Sequence, residues 1–198
     1  MSYVDKYLEE VKSISELIDR VAIEKMVDIL VDIREQKGRI FFLGVGGGAG
    51  NAGHAVNDFR KIAGIESYAP TDNVSELTAR INDDGWENSY VEWLKGCNPK
   101  QKDGVFVFSV GGGSREQKIS VNLVKVIEYA KKVQTRVLGI VGRDGGYTGK
   151  VADGCVIIPV VNASTVTPHT EAFQSVIWHL IVTHPKVRLA EMKWESIK

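Results

Sequence analysis

Two apolar, strand-length segments that run directly into glycine-rich turns constrain the fold of this chain most. The first is Arg39–Gly44, followed by Val-Gly-Gly-Gly, and the second is Gly104–Ser109, also followed by Val-Gly-Gly-Gly. A helix-like sequence follows each turn, an order typical of a strand, a tight turn and a helix in a parallel α/β sheet. Backbone N–H groups and the positive end of the helix dipole converge at such a turn, so each turn can bind an anion. Two such turns suggest a phosphorylated small molecule as the ligand.

Strand and helix patterns alternate along the rest of the chain. We predict strands at 39–44, 66–69, 104–109, 136–141 and 154–158, and helices at 51–63, 73–81, 86–95, 114–133 and 168–183. This alternation predicts right-handed crossovers and an α/β fold with a mainly parallel sheet and helices on both faces. Ligands of such sheets bind at the carboxyl ends of the strands, where both glycine turns lie. A third turn, Gly142–Tyr147, follows the strand at 136–141 and is expected to form another edge of the same crevice.

The segment before the first strand has a helical pattern. Apolar residues recur at three- and four-residue intervals from Tyr7 to about Ile33, which predicts one long helix or two. We expect this segment to pack against another subunit, and folding back over its own domain is an almost equal alternative. The chain of 198 residues is expected to form a single domain over 1–198. The tryptophans are expected to be core or subunit-contact anchors: Trp86, Trp93, Trp178 and Trp194.

The composition argues against several classes of partner. The 25 basic residues balance the 25 acidic ones, so no net field would attract nucleic acid or an anionic membrane. The two cysteines form no CxxC pair, the N-terminus lacks an apolar signal core, and every apolar stretch is far shorter than the ~20 residues of a membrane span. We therefore expect a soluble protein in the reducing cytoplasm that binds phosphate locally.

The first glycine turn also fits other interpretations. Gly44-Val-Gly46-Gly-Gly-Ala49 satisfies the GxGxxA form of the dinucleotide fingerprint, and Glu66 follows about 20 residues later, where a ribose contact is expected. However, the chain has only one such half, and a dinucleotide pyrophosphate does not require the second glycine turn. A single glycine turn can also be purely structural, because glycine tolerates tight turns, although this explains the pair less well.

Four polar residues on two of the predicted helices are candidates for chemistry. His54 and Asp58 are four residues apart and share one helix face, either as proton-transfer groups, as metal ligands or as a plain surface pair. Glu171 and His179 are eight residues apart, about 12 Å along the last helix, so one metal ion would have to lie between them. That helix is largely apolar, so both need partners, and a backbone carbonyl is the simplest partner for His179. The remaining histidines are expected at the ends of this helix, the first of them facing a loop: His169 and His184.

Together these motifs resemble the sugar isomerase (SIS) domain family, and within it the phosphoheptose isomerases. The motifs follow one another in the family's order along nearly the whole chain: the GxGGG turn at 43–48, His54-x-x-x-Asp58, Asn82-Asp83-Asp84-Gly85-Trp86, Ser109-x-Gly-Gly-Gly-Ser114, Gly142-Arg-Asp-Gly-Gly146, and Glu171 through His179. The resemblance implies a three-layer α/β/α sandwich of flavodoxin-like type with added N-terminal helices. It also implies a homotetramer with residues 1–36 in the interfaces and shared active sites, in which His179 would meet Asp58 of a neighbouring chain.

The resemblance also assigns roles to individual residues. Family members move a proton between adjacent carbons of an open-chain sugar phosphate through an enediol, which requires a base and an acid. Asp58 matches the family's base, usually a glutamate, and His179 matches its histidine acid/base. Some members hold zinc, and the matching residues here are His54, Asp58, Glu171 and His179, with Glu171 in place of a glutamine. The substrate-binding residues implied in this way are Gly46, Gly47, Gly48, Asn51, Asp83, Ser109, Gly111, Gly112, Gly113 and Ser114.

The phosphate-binding turns depart from the family pattern. Gly48 stands where a serine is common, Val45 replaces an asparagine, and the second turn retains only the hydroxyls of Ser109 and Ser114. We therefore expect the phosphate to be bound more by backbone amides than is usual.

The function implied is isomerisation of D-sedoheptulose 7-phosphate to D-glycero-D-manno-heptose 7-phosphate, for lipopolysaccharide or capsule heptose. The alternative is a non-catalytic SIS-domain protein that binds a phosphosugar as a regulator or scaffold.

Overall fold

The N-terminal segment forms two helices rather than one, α1 (Tyr3–Leu17) and α2 (Arg20–Glu35), in the computed structural model, which describes residues 1–190. Asp19 separates them, because its carboxylate accepts two backbone N–H groups in the first turn of α2 and so fixes a new helix start. Within this described range, none of the helices combines the length and the apolar character that a membrane span requires.

Strands and helices then alternate in the predicted order. The elements are β1 (Arg39–Gly44), α3 (Gly47–Lys61), β2 (Glu66–Tyr68), α4 (Val74–Asp84), α5 (Trp86–Gly96), β3 (Gly104–Ser109), α6 (Val121–Lys132), β4 (Arg136–Val141), α7 (Gly146–Val151), β5 (Gly154–Ile157) and α8 (Val166–Thr183). The strands pair in parallel in the order β2-β1-β3-β4-β5. This confirms the α/β fold with a parallel sheet between helices. The order changes direction between β1 and β3, so the crevice expected to bind a ligand lies at the carboxyl ends of these two strands.

Both faces of the sheet are covered by apolar cores. Successive residues of a strand point to opposite faces, so Phe42 joins the core under α2, α3 and α8, whereas Phe41 and Leu43 join the core under α5 and α6. The helices therefore hold β1 and β3 rigidly from both sides, and the turns at the ends of these strands are fixed in place.

The tryptophans differ in environment. Trp178 and Trp93 are buried in the two cores, as expected of core anchors. Trp86 is 44% exposed and is not a core residue. Trp194 lies outside the described residues.

Helix α1 is held to its own domain by one buried acidic residue. The Glu10 carboxylate accepts hydrogen bonds from Asn162 Nδ2 at 2.6 Å, Thr165 Oγ1 at 2.8 Å and His169 Nε2 at 2.8 Å. These bonds lower the pKa of Glu10 to about 2, and the bond from Asn162 contributes most to this shift. The expectation that His169 faces a loop is wrong, because its side chain is buried against Glu10 and the Tyr7 ring. His184 lies at the end of α8, as expected.

Two elements differ from the sequence prediction. Helix α6 begins at Val121 rather than at 114, because Ser114 pairs with Ile119 in a short antiparallel bridge before the helix starts. The third turn continues into the short helix α7, which the sequence pattern did not indicate. The second glycine turn therefore opens a bridged loop and not a helix.

Candidate active site

The first glycine turn is fixed by close backbone packing. Gly46 has a φ of +59°, and a Cβ on Gly48 would lie 2.5 Å from the Phe108 carbonyl oxygen, so no larger residue fits at Gly48 without a backbone shift. The buried Tyr90 hydroxyl donates to the Gly44 carbonyl oxygen at 2.7 Å, and burial raises the pKa of Tyr90 to about 12. The turn is thus a rigid junction between β1, β3 and α5.

The carboxylate of Glu171 lies at the start of α3, against this turn. A Cβ built on Gly47, the first residue of α3, would come within 2.4 Å of the Glu171 carboxyl carbon. The N-terminus of a helix favours a negative charge. The chain therefore places its own carboxylate beside one of the two turns that the sequence analysis assigned to an anion.

Asn51 joins α3 to α8. Its Nδ2 donates to the Glu171 carbonyl oxygen and to Gln174 Oε1, both at 3.1 Å, and its Oδ1 accepts from Trp178 Nε1 at 3.5 Å. Both hydrogens of the Asn51 amide are thus engaged between the helices, and they position α8 rather than face an open substrate site.

The packing of α3 beside α8 brings together three of the four proposed chemical residues. Asp58 Oδ2 lies 3.8 Å from His54 Nε2 and 3.9 Å from His179 Nε2, and the ligand atoms of all three lie within 4.8 Å of one another. Asp58 is largely buried, whereas the two histidines are partly exposed. All three residues belong to one chain, so the expectation that His179 meets Asp58 of a neighbouring chain is not needed for this contact.

A hydrogen bond at Nδ1, the ring nitrogen that does not face Asp58, fixes the orientation of His179. Its Nδ1 lies 2.7 Å from the Ser175 carbonyl oxygen, which can only accept, so Nδ1 carries a hydrogen. In neutral histidine this leaves the lone pair on Nε2, the atom that faces Asp58. The ring also stacks on Trp178, with ring centroids 3.5 Å apart. This arrangement suits both a metal ligand and a group that exchanges a proton at Nε2.

We call His54, Asp58 and His179 the triad. A zinc ion binds histidine and carboxylate atoms at about 2.0–2.2 Å, which in a tetrahedron places the ligand atoms roughly 3.3 Å apart. The separations are 3.8 and 3.9 Å from Asp58 and at most 4.8 Å within the group, so the ligand atoms must close by roughly 0.5–1.5 Å. Three protein ligands with one open position are typical of catalytic metal sites. Glu171 is not a member of this group, because it lies about 12 Å earlier along α8 than His179. The predicted set of four ligands is thus reduced to three.

The second glycine turn borders a cavity of about 670 Å³. The lining includes Ser109, Gly111, Gly113 and Ser114 of this turn, and Arg143, Asp144, Gly146 and Tyr147 of the third turn. The third turn therefore does form an edge of the crevice, as predicted. The other proposed substrate-binding residues are not among those that line the cavity: Gly46, Gly47, Gly48, Asn51, Gly112 and Asp83.

The second and third turns are joined through their backbones. Gly112 has a φ of +69°, its N–H donates to Ser109 Oγ at 3.1 Å, and its carbonyl oxygen accepts from the N–H and the hydroxyl of Thr148. Because Ser109 Oγ accepts this bond, its own O–H hydrogen can still be donated into the cavity. The pair of turns forms a rigid floor that presents a hydroxyl donor.

The cavity and the triad lie at different positions along the axis of α8. Thr167 lines the cavity, Glu171 follows about one turn later, and His179 lies about 18 Å from Thr167 along the helix axis. Within one chain the triad does not line the cavity. Asp83 is exposed near the end of α4 and joins neither group.

Sequence reasoning missed several contributors to the site. Ser175, which orients His179, precedes it by four residues on α8, so this relation was visible in the helical spacing. Tyr90 and the cavity residue Arg115 depend on tertiary packing and on an irregular loop, for which no local signal exists.

Comparison with known proteins adds independent information. No family model matches the sequence. The chain is 31% identical over 167 residues to the lincomycin biosynthesis protein LmbN of Streptomyces lincolnensis, across 79% of this chain but only 59% of the length of that relative. It is 27% identical to the phosphoheptose isomerases of Helicobacter pylori, over 81% of this chain and 80% of that one, and of Aneurinibacillus thermoaerophilus, over 89% and 86%.

Solved structures agree on the fold. A phosphoheptose isomerase from Neisseria gonorrhoeae superimposes with a TM-score of 0.77 at 20% identity, covering 90% of this chain and 94% of that chain. A second, from Francisella tularensis, also gives 0.77, at 19% identity over 92% and 97%. These relatives indicate an SIS-domain protein similar to the phosphoheptose isomerases, and the solved structures show the same fold.

Proposed function

We propose that the protein is an aldose–ketose isomerase that converts D-sedoheptulose 7-phosphate to D-glycero-D-manno-heptose 7-phosphate. The observation that carries the proposal is the triad, in which a carboxylate and two imidazole nitrogens converge on one point. Relatives named phosphoheptose isomerase along most of the chain support the choice of substrate. The proposed setting is the cytoplasm, where the product would supply heptose for lipopolysaccharide or capsule.

Asp58 and His179 provide the two proton transfers that the reaction needs. Asp58 takes a proton from C1 of the ketose, exchanges it with solvent, and delivers a proton to C2 of the enediol. His179 acts as the imidazolium, whose Nε2 gives a proton to the carbonyl oxygen at C2 and takes one back from the hydroxyl at C1. The Ser175 carbonyl keeps Nδ1 protonated throughout, so the exchange is confined to Nε2 and no net proton is gained or lost.

The triad would hold a divalent metal ion, for which zinc suits the two imidazoles and one carboxylate. When bound there, such an ion would occupy Nε2 of His179 and would polarise the substrate carbonyl in place of the proton that Nε2 otherwise gives.

The phosphate is assigned to the cavity at the second glycine turn. Ser109 and Ser114 supply hydroxyls there, and Gly111 allows close approach of the ligand. The first turn is a poorer candidate, because the Glu171 carboxylate lies against it.

A complete site then requires more than one subunit. Within one chain the triad and the cavity do not line a common space, so we propose a homotetramer in which the triad of one subunit faces the cavity of another. The surface around His179 supports this arrangement, because Val176 and Leu180 of α8 are 53% and 43% exposed. Exposed apolar residues on the N-terminal helices provide a second contact surface: Tyr3, Val4, Leu8, Leu17 and Val21.

The separation of the triad from the cavity within one chain favours the alternative, a non-catalytic SIS-domain protein that binds a phosphosugar as a regulator or scaffold. An assay in D2O with sedoheptulose 7-phosphate separates the two. Isomerisation through an enediol gives an aldose phosphate that carries deuterium at C2, visible by NMR. Specific binding of the sugar phosphate without aldose formation or solvent exchange would contradict the isomerase and support the regulator.

A further inference from the structure

The phosphate site proposed above receives no free helix N-terminus, because the first N–H groups of the short helix α7 at its edge already donate to the Gly112 and Gly113 carbonyl oxygens. Helix α6 begins only at Val121, after the bridged loop, so its dipole does not act at the second glycine turn. Two backbone N–H groups of the turn are also engaged, that of Gly112 with Ser109 Oγ and that of Ser114 with the Ile119 carbonyl oxygen. Amides and two hydroxyls alone leave a phosphate dianion without a countercharge.

Three cationic side chains line the cavity, and they differ in availability. Arg115 is bound to Glu128 at 2.5 Å, and this hydrogen bond raises the pKa of Arg115. Lys150 lies on α7 at the cavity wall, and its side chain makes no hydrogen bond or ion pair within the described residues. Arg143 makes no hydrogen bond or ion pair to any residue within the described range 1–190.

The side chain of Arg143 contacts the second glycine turn directly. A Cβ on Gly111 would lie 3.7 Å from Arg143 Cδ and 4.0 Å from Nε, so the arginine side chain lies across this glycine. The neighbouring carboxylate of Asp144 accepts the N–H of Gly146 at 3.1 Å. The backbone of Arg143 has a φ of +52°, a conformation uncommon for residues other than glycine, and such strain is found often at binding sites.

We propose that Arg143 is the phosphate-binding cation of this protein, acting across Gly111 in place of the hydroxyls that the second turn lacks. The inference rests on the proposed function for the identity of the sugar phosphate. A guanidinium matches phosphate geometry with two parallel N–H donors, which an amide or a hydroxyl cannot do. Selection for phosphorylated over free sugar therefore comes mainly from the third turn.

The test compares Arg143→Gln with the control Lys37→Gln. Lys37 is an exposed cation with a φ of +53° in the turn before β1, so the control matches both the charge change and the backbone conformation at the opposite edge of the sheet. Binding of inorganic phosphate and of sedoheptulose 7-phosphate is measured by calorimetry. Loss of a charge-assisted hydrogen bond predicts about 10- to 100-fold weaker binding of both by Arg143→Gln, partial recovery in Arg143→Lys, and no change in Lys37→Gln.

Unchanged binding by Arg143→Gln, equal weakening by Lys37→Gln, or no phosphate binding by the wild-type protein would each overturn the inference. The proposed function is judged separately, by aldose formation in the wild-type protein. If the wild-type protein has isomerase activity and Arg143→Gln has an unchanged KM, the proposed role of Arg143 is wrong and the proposed function is retained. If phosphate binding depends on Arg143 but the wild-type protein has no isomerase activity, the role of Arg143 is retained and the proposed function is wrong.

Discussion

Zinc is expected to raise the melting temperature of the purified protein, and His179→Ala is expected to remove most of that increase. The ligand atoms of the triad are already close, with separations of 3.8 and 3.9 Å from the Asp58 carboxylate. Because all the ligand atoms lie within 4.8 Å of one another, metal binding needs only local side-chain movement, and most of its binding free energy should stabilise the folded state.

The expected size follows from linkage. Zinc at 100 times its dissociation constant stabilises the native state by about 2.7 kcal/mol. For a domain of this size each kcal/mol raises the melting temperature by roughly 2–4 °C, so the expected increase is roughly 5–11 °C. If His179→Ala weakens binding about 100-fold, the same zinc concentration contributes only about 0.4 kcal/mol, or roughly 1 °C.

Differential scanning calorimetry with and without zinc measures both values. His184→Ala is the matched control, because His184 lies at the end of the same helix, near Glu24 and outside the triad. This variant should keep the full increase. An equal increase in wild type and His179→Ala, or none in the wild type at millimolar zinc, would refute the assignment of the triad as a metal site.

Three further predictions concern the fold and the assembly. Gly48→Ala should destabilise the protein by about 1–3 kcal/mol in urea, because its Cβ would lie 2.5 Å from a backbone carbonyl oxygen. Gly50→Ala, whose Cβ meets nothing within 4 Å, should stabilise it by about 0.5–1 kcal/mol; effects of the same sign would contradict the packing described. The depressed pKa of Glu10 means that its contribution is complete above about pH 4.5 and is lost as the pH falls toward 2, so Glu10→Gln should flatten the stability curve over that window; an unchanged curve would argue against the buried network. Mixing subunits of Asp58→Asn, impaired in proton transfer, with subunits of Arg143→Gln, impaired in phosphate binding, should give more activity than the two variants separately if sites are shared, and no gain after verified exchange would place the whole site in one chain.

The strands were predictable because their sequences are unambiguous. The strands predicted at 39–44, 104–109 and 136–141 match β1, β3 and β4 to the residue, since each apolar run ends at glycine or a polar residue. The end of helix α8 was also predicted at residue 183, whereas its start is Val166, two residues before the predicted 168, so that Pro168 is the third residue of the helix.

The sequence predictions failed where tertiary contacts override the local sequence pattern. The segment 114–120 has helix-forming residues, yet the bridge between Ser114 and Ile119 delays the helix. Glu10 and His169 are 159 residues apart in the sequence, so no periodicity could pair them. The position of Glu171 was missed for a different reason, because spacing along α8 fixes its face but not the neighbouring turn that its flexible side chain contacts.

The residues of the site were more predictable from the sequence than its separation into a triad and a cavity. Helical spacing placed His54 beside Asp58, and the packing of α3 against α8 added His179. That Thr167 lines the phosphate cavity while the triad does not, with His179 about 18 Å further along α8, follows only from the three-dimensional arrangement.

The most direct test of the central claim is solvent deuterium exchange into sedoheptulose 7-phosphate, compared between the wild-type protein and Asp58→Asn. If Asp58 is the base of an enediol isomerase, the wild-type protein incorporates deuterium at the carbons that exchange the proton and forms the aldose. The variant should lose both, while its affinity for the sugar phosphate is retained. Exchange that persists at the wild-type rate in Asp58→Asn, or its absence from a wild-type protein that binds the sugar phosphate, would contradict the account.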